Sequence, residues 1–304
     1  MRNAVIGVSL LLAGSLSAIG AENPDSDGVP SHLVVTAEGK SIPTIQGADV
    51  MVYQGKTRAT VRDWVPLEGD RAGLQLTILI DDGLNTSLGT QLGDLKKFII
   101  GLPASTEIAV AYMRNGSANM AQTWTADHTR AMDALRLPTG TPGIDASPYI
   151  TLSELIKKWP PTDKRREVLM VTDGVDLLGG PPPQDPYLDD AIRDAQRAGV
   201  VVYSIYYRGE GHAGHSYWRI NWGQNYLSQL SEETGGEAYW QGFGNPVSFA
   251  PYLDDLGEKL KHQYLLTFLA KPDKKPSLEP VKLRTELHHV ELLSADKAYV
   301  VPQP

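Results

Sequence analysis

The rhythm of apolar and polar residues changes twice along this 304-residue chain. From His32 to Pro66, short alternating runs are separated by turn residues: His32–Thr36, Asp49–Tyr53 and Thr60–Val65. Alternation of this kind predicts half-buried strands, and Gly39 and Gly55 fall where tight hairpin turns would need them. From Leu76 the pattern changes. Continuous apolar runs rich in β-branched residues, Leu76–Asp81, Glu107–Met113, Val168–Asp173 and Val200–Tyr206, predict strands buried on both faces. Helical spacing is read between them and after them, over Leu88–Leu102, Ile150–Trp159, Leu188–Ala198, Asn225–Thr234 and Ser248–Lys261. Asp127 is placed to cap a further helix running to Leu135, and Gly199 to close the helix before it. Ala118–Trp124 and Glu237–Trp240 read as short strands. From Gln263 the text returns to strands: Tyr264–Ala270, Val281–Leu287 and Ala298–Val301.

The implied fold class is α/β, a doubly wound and mainly parallel sheet, with a small β-module built from the N- and C-terminal segments. The expected division is a leader over 1–21, an N-terminal β-segment over 22–73, an α/β domain over 74–262 and a C-terminal β-segment over 263–304. The last segment is expected to pack with 32–66.

The leader carries one basic residue, Arg2, then an apolar stretch, then small residues up to Ala21. That is the pattern of a secretory signal peptide, cleaved near Ala18 to Ala21, and it predicts export to the periplasm or beyond. The stretch is short for a bilayer span. The chain has no cysteine, so disulfides, thiol chemistry and a lipid-bearing cysteine are excluded. A formal net charge of −8 with no basic run argues against nucleic acid and anionic lipid as partners.

Candidate chemistry gathers at two strand ends. Ligand sites in open α/β sheets lie outside the carboxyl ends of the strands, so Asp81 and Asp173 are expected on one rim. Other features carry less. His212 and His215 stand three apart in a loop, where zinc or copper is the chemical possibility and a solvated loop the simpler reading. His288 and His289 are expected in a strand, facing opposite ways. The stretch His215–Trp222 with Tyr226 is rich in aromatics, which suit either a partner surface or a core anchor. The proline-rich loop over 177–186 follows Asp173 directly and either shapes access to the rim or simply connects. The chain lacks Gly-x-Ser-x-Gly, His-Glu-x-x-His, a phosphate loop and a dinucleotide fingerprint.

The ordered series Asp81-Asp82-Gly83, Ile108–Met113, Arg165–Gly174, Ala198–Ile205, Leu230–Tyr239 and Gln263–Phe268 resembles the von Willebrand factor type A (vWA) superfamily. It is most similar to the bacterial secreted group labelled VWFA-related. The resemblance covers most of the chain and implies a metal-ion-dependent adhesion site. Such a site uses an Asp-x-Ser-x-Ser run, a middle-loop Thr and a later Asp, all oxygen donors suited to a hard cation such as Mg2+ (or Mn2+ or Ca2+). Here Asp81 and Asp173 match, Asn85 offers a carbonyl oxygen where the second Ser would stand, and Gly83 offers nothing. Asp82 could add charge if it points inward. Thr139 and Thr141 are both open for the middle loop. The candidate metal ligands are therefore Asp81, Asn85 and Asp173 in a degenerate site. The expected function is an exported, non-enzymatic binding protein of adhesion or scaffold type, with a protein partner. A metal-dependent hydrolase and a scaffold with a vestigial site are the alternatives.

Overall fold

A computed structural model describes residues 28–302 except 142, 145, 181–184 and 211–215. The leader, His212, His215 and part of the proline-rich loop lie outside the described residues.

Five strands build the parallel part of the larger domain: β4 (Leu74–Asp81), β5 (Thr106–Arg114), β7 (Arg165–Thr172), β8 (Val200–Tyr206) and β9 (Ala238–Tyr239). With the antiparallel edge strand β6 (Ser117–Thr125), their order is β6-β5-β4-β7-β8-β9. The order reverses at β4, which pairs with β5 on one side and β7 on the other. The helices α1 (Leu92–Gly101), α2 (His128–Asp133) and α6 (Ala250–Lys261) pack with Leu76, Ile78, Ile80, Leu169 and Val171. The helices α3 (Pro148–Lys158), α4 (Pro186–Ala198) and α5 (Tyr217–Thr234) pack with Leu79, Val168, Met170 and Val202 on the other face. Successive strand residues alternate between the two cores, which is why these runs are apolar throughout. The expected doubly wound α/β sheet is the observed one.

The remaining strands form a second, antiparallel sheet of order β12-β1-β10-β3-β2-β11-β13. They are β1 (Val29–Glu38), β2 (Val50–Gln54), β3 (Thr57–Pro66), β10 (Gln263–Ala270), β11 (Ser277–Thr285), β12 (Glu291–Ser294) and β13 (Lys297–Val300). Both ends of the chain supply it: β10 lies between β1 and β3, and β11 pairs with β2. Only Ala295 and Asp296 separate β12 from β13, yet the two pair at opposite ends of the strand order. That short step brings the two edges together and curls the sheet around Val35, Val52, Leu266 and Phe268.

The β2–β3 hairpin turns on Gly55 at φ 58°, as the pattern predicts. Gly39 does not make a hairpin, because β1 and β2 are not neighbours. A side chain there would instead strike the His289 carbonyl oxygen at 2.3 Å. His288 and His289 sit in a turn before β12, with His289 at φ 62°, and not in a strand. The helix expected from Asn225 starts eight residues earlier, at Tyr217.

The two sheets meet through buried charge. Lys259 of α6 reaches Glu38 of the β-module at 2.5 Å, Asp255 at 2.7 Å and Glu237 at 2.8 Å. Burial alone would favour the neutral amine, but the carboxylates outweigh it and hold Lys259 charged. The β12–β13 step docks on the end of α5, where the Asp296 amide donates to the Glu233 carbonyl at 3.2 Å. Among the described residues no helix is long and apolar enough to cross a membrane.

Candidate functional site

Adjacent parallel strands β4 and β7 deliver Asp81 and Asp173 to one rim. Thr172 ties the two strand ends together. Its hydroxyl donates to Asp81 Oδ2 at 2.9 Å and accepts from the Gly174 amide at 3.2 Å. Asp81 Oδ1 accepts from the Gly83 amide at 2.7 Å, and Asp173 Oδ1 from the Val175 amide at 3.0 Å. Both carboxylates line a cleft of about 150 Å3, together with Arg114, Ser147, Glu210 and Arg219. Burial, then the charge of Asp81, push Asp173 up to about 7. Burial also raises Asp81, against the hydrogen bonds from Gly83 and Thr172. Two carboxylates confined this way favour a proton or a cation between them.

Three glycines let the backbone close around Asp173. A side chain on Gly209 would stand 2.4 Å from Asp173 Oδ2, and one on Gly223 would stand 1.8 Å from its carbonyl oxygen. Gly174 turns the chain at φ 68° beneath α5. Burial pushes the Tyr149 hydroxyl well above its usual range, and it donates to the Gly174 carbonyl at 2.7 Å.

The remaining expected residues separate from this pair. Asp82 turns away and meets Arg136 through both oxygens, at 2.7 and 3.0 Å. The same guanidinium lies 3.6 Å over the ring of Tyr112. Asp82 therefore does not line the cleft and organises the middle loop instead, while its charge still adds to the rise of Asp81. The Thr139 amide donates to its carboxylate at 3.3 Å, and the Thr141 amide to its carbonyl at 3.0 Å. Asn85 caps a 3-10 turn over Thr86–Gln91, its Oδ1 accepting from the Ser87 amide at 2.9 Å. Asn85, Thr139 and Thr141 are not among the residues lining the cleft.

Ser147, which lines the cleft, and its hydrogen-bond partner Asp176 are passed over by the sequence reading. Ser147 caps α3 and donates to the fully buried Asp176, which also accepts from the Leu178 and Gly179 amides at 2.8 and 3.0 Å. The Ser-Pro pair opening an apolar helical pattern is the signal that could have marked Ser147. Arg219 reaches the rim because the aromatic stretch is helical. Ile220, Trp222 and Tyr226 face inward, while Tyr217 and Trp218 are 69% and 57% exposed.

No family model and no curated protein matches this sequence. Solved structures do resemble the fold. An aerotolerance-related membrane protein from Bacteroides fragilis is similar at a TM-score of 0.44 and 11% identity, over 62% of this chain and 98% of that one. The ArnB paralog VWA2 from Sulfolobus acidocaldarius is similar at 0.39 and 8% identity, over 90% of this chain and 76% of that one. The SpRpn10 VWA domain is similar at 0.31 and 17% identity, over 57% of this chain and 97% of that one. The strand order and the two packed faces described above give the α/β unit a doubly wound fold.

Proposed function

We propose that this chain is an exported, non-enzymatic binding protein of adhesion or scaffold type, which holds a protein partner at the rim where β4 and β7 end. The observation that carries the reading is the pairing of Asp81 with Asp173 in a small open cleft, at the point where the strand order reverses. Export rests on the leader, and the periplasm or the cell exterior is the proposed location.

A photo-crosslinking side chain placed at Tyr217, beside the rim, tests this against one placed at Thr57, on the β-module. A reproducible protein adduct from position 217, absent from position 57 and weakened by Asp173→Asn, is expected. Adducts of equal strength from both positions would sink the reading.

A second reading is a divalent cation site for Mg2+, Mn2+ or Ca2+ at Asp81, Asn85 and Asp173. The mutual repulsion of the two carboxylates favours it. The donors fit only in part. Asp81 and Asp173 supply anionic oxygens, Gly83 supplies none, and the Asn85 oxygen is engaged by the Ser87 amide. Among the described residues, no three His, Cys, Asp or Glu side chains gather as a metal site. A cation held there would relieve the repulsion and leave room for a partner's oxygen. Millimolar Mg2+ should then raise the thermal midpoint of the wild type and leave Asp81→Asn and Asp173→Asn unmoved.

A further inference from the structure

Exposed apolar side chains are concentrated at one end of this molecule. Among the described residues twelve large ones are exposed, and six of them lie on segments beside the rim. Leu177 and Leu178 follow β7, Tyr217 and Trp218 open α5, Phe243 follows β9, and Ile144 lies on the middle loop. Together they make an apolar crown beside the cleft. Leu177 and Arg219 line the cleft itself, Tyr217 and Trp218 directly precede Arg219, and the Tyr217 and Phe243 rings lie 5.3 Å apart. Ile144 is fastened beside the cleft by a 3.0 Å hydrogen bond from its amide to Asn115, another lining residue. A patch of this kind marks an interaction surface, and aromatic anchors dominate protein interfaces.

Resting on the rim as the binding surface, we infer that the crown docks a protein segment in which a lysine or arginine is flanked by large apolar side chains, its cation entering between Asp81 and Asp173. The size of the cleft selects this occupant. About 150 Å3 admits the end of one side chain, whereas sites for whole small molecules run to about 300–1,000 Å3. Charge selects the sign. The chain is acidic overall at −8, and three carboxylates, of Asp81, Asp173 and Glu210, line the cleft beside the guanidinium groups of Arg114 and Arg219. An entering cation would meet the three carboxylates, and the apolar crown would receive its neighbours. Acidic lipid surfaces fit poorly against a chain of net charge −8.

The test is selection of a random twelve-residue peptide library on the immobilised chain, in parallel in EDTA and in millimolar Mg2+, followed by affinity measurements on purified peptides. Two variants run alongside, Asp81→Asn with Asp173→Asn, and Tyr217→Ser with Trp218→Ser. Their thermal midpoints show that each remains folded. Selected peptides should carry Lys or Arg beside Trp, Phe or Leu and lose at least tenfold in affinity on either variant. If no peptide is selected, or if selected peptides bind both variants as well as the wild type, the inference is overturned. Selection of acidic peptides only in Mg2+, with binding still lost on the variants, would overturn it while leaving the rim as the binding surface. Peptides that ignore both variants would remove the rim reading as well. Flotation with phosphatidylglycerol–phosphatidylethanolamine vesicles, lost in Tyr217→Ser with Trp218→Ser, would instead assign the crown to a membrane surface and overturn the protein segment.

Discussion

Gly223, in the second turn of α5, lies so close to Asp173 that a Cβ on it would stand 1.8 Å from the Asp173 carbonyl oxygen. Helix α5 is therefore seated directly on the backbone that presents the carboxylate. Gly223→Ala must push the helix off the rim or fail to fold. A loss of about 3 kcal/mol or more in denaturant unfolding is expected, although alanine is the better helix former. A neutral or stabilising result would show that α5 does not rest there.

Asp82 is nearly fully buried and its charge is met by Arg136. Arg136→Ala would leave that carboxylate without its counter-charge and free the middle loop around Thr139. About 2 kcal/mol of stability should be lost, discounted because the guanidinium is partly exposed. Arg136→Lys should recover only part of this, since one ammonium cannot replace the bidentate fork. Equal stability of all three proteins in urea would rule the pairing unimportant.

The raised Asp173 makes a signed prediction about pH. The folded protein binds its proton up to about pH 7, while the unfolded chain releases it near 4. The folded state thus holds more protons between these values, and this contribution to stability is lost as pH rises from about 4 through 7. Asp173→Asn removes the titration. About three pKa units at about 1.4 kcal/mol each set an upper limit of about 4 kcal/mol, so the variant should gain roughly 2 to 4 kcal/mol at pH 8, clearly less at pH 5 and little at pH 4. The same gain at all three pH values would refute the assignment.

Lys259 joins the two sheets through three carboxylates. Lys259→Met should cost about 2 kcal/mol by leaving them unpaired, and Glu38→Gln in the same chain should return part of that loss. Simple additivity of the two changes would show that Lys259 and Glu38 are not coupled.

Much of this was legible in the sequence, for a definable reason. Asp81 and Asp173 end apolar runs, and such runs have one plausible place in a parallel sheet, so their rim could be read from local pattern. The partner of Asp82 could not, because Arg136 stands 54 residues away and only the fold brings it back. Gly39 reads as a hairpin turn because local text cannot reveal that β1 pairs with β10 instead of β2. The start of α5 was obscured by its aromatic residues, although Trp222, Tyr226 and Leu230 already repeat every four positions. The role of Asn85 was read from the resemblance. A turn cap and a ligand use the same carbonyl oxygen, and only geometry distinguishes them.

The most direct measurement takes the protein crosslinked at position 217 and measures its affinity for the wild type and for Asp81→Asn with Asp173→Asn. The account predicts at least a tenfold loss in the double variant, with its fold intact by circular dichroism. Unchanged affinity would contradict it, because the paired carboxylates would then be no part of the surface that holds the partner.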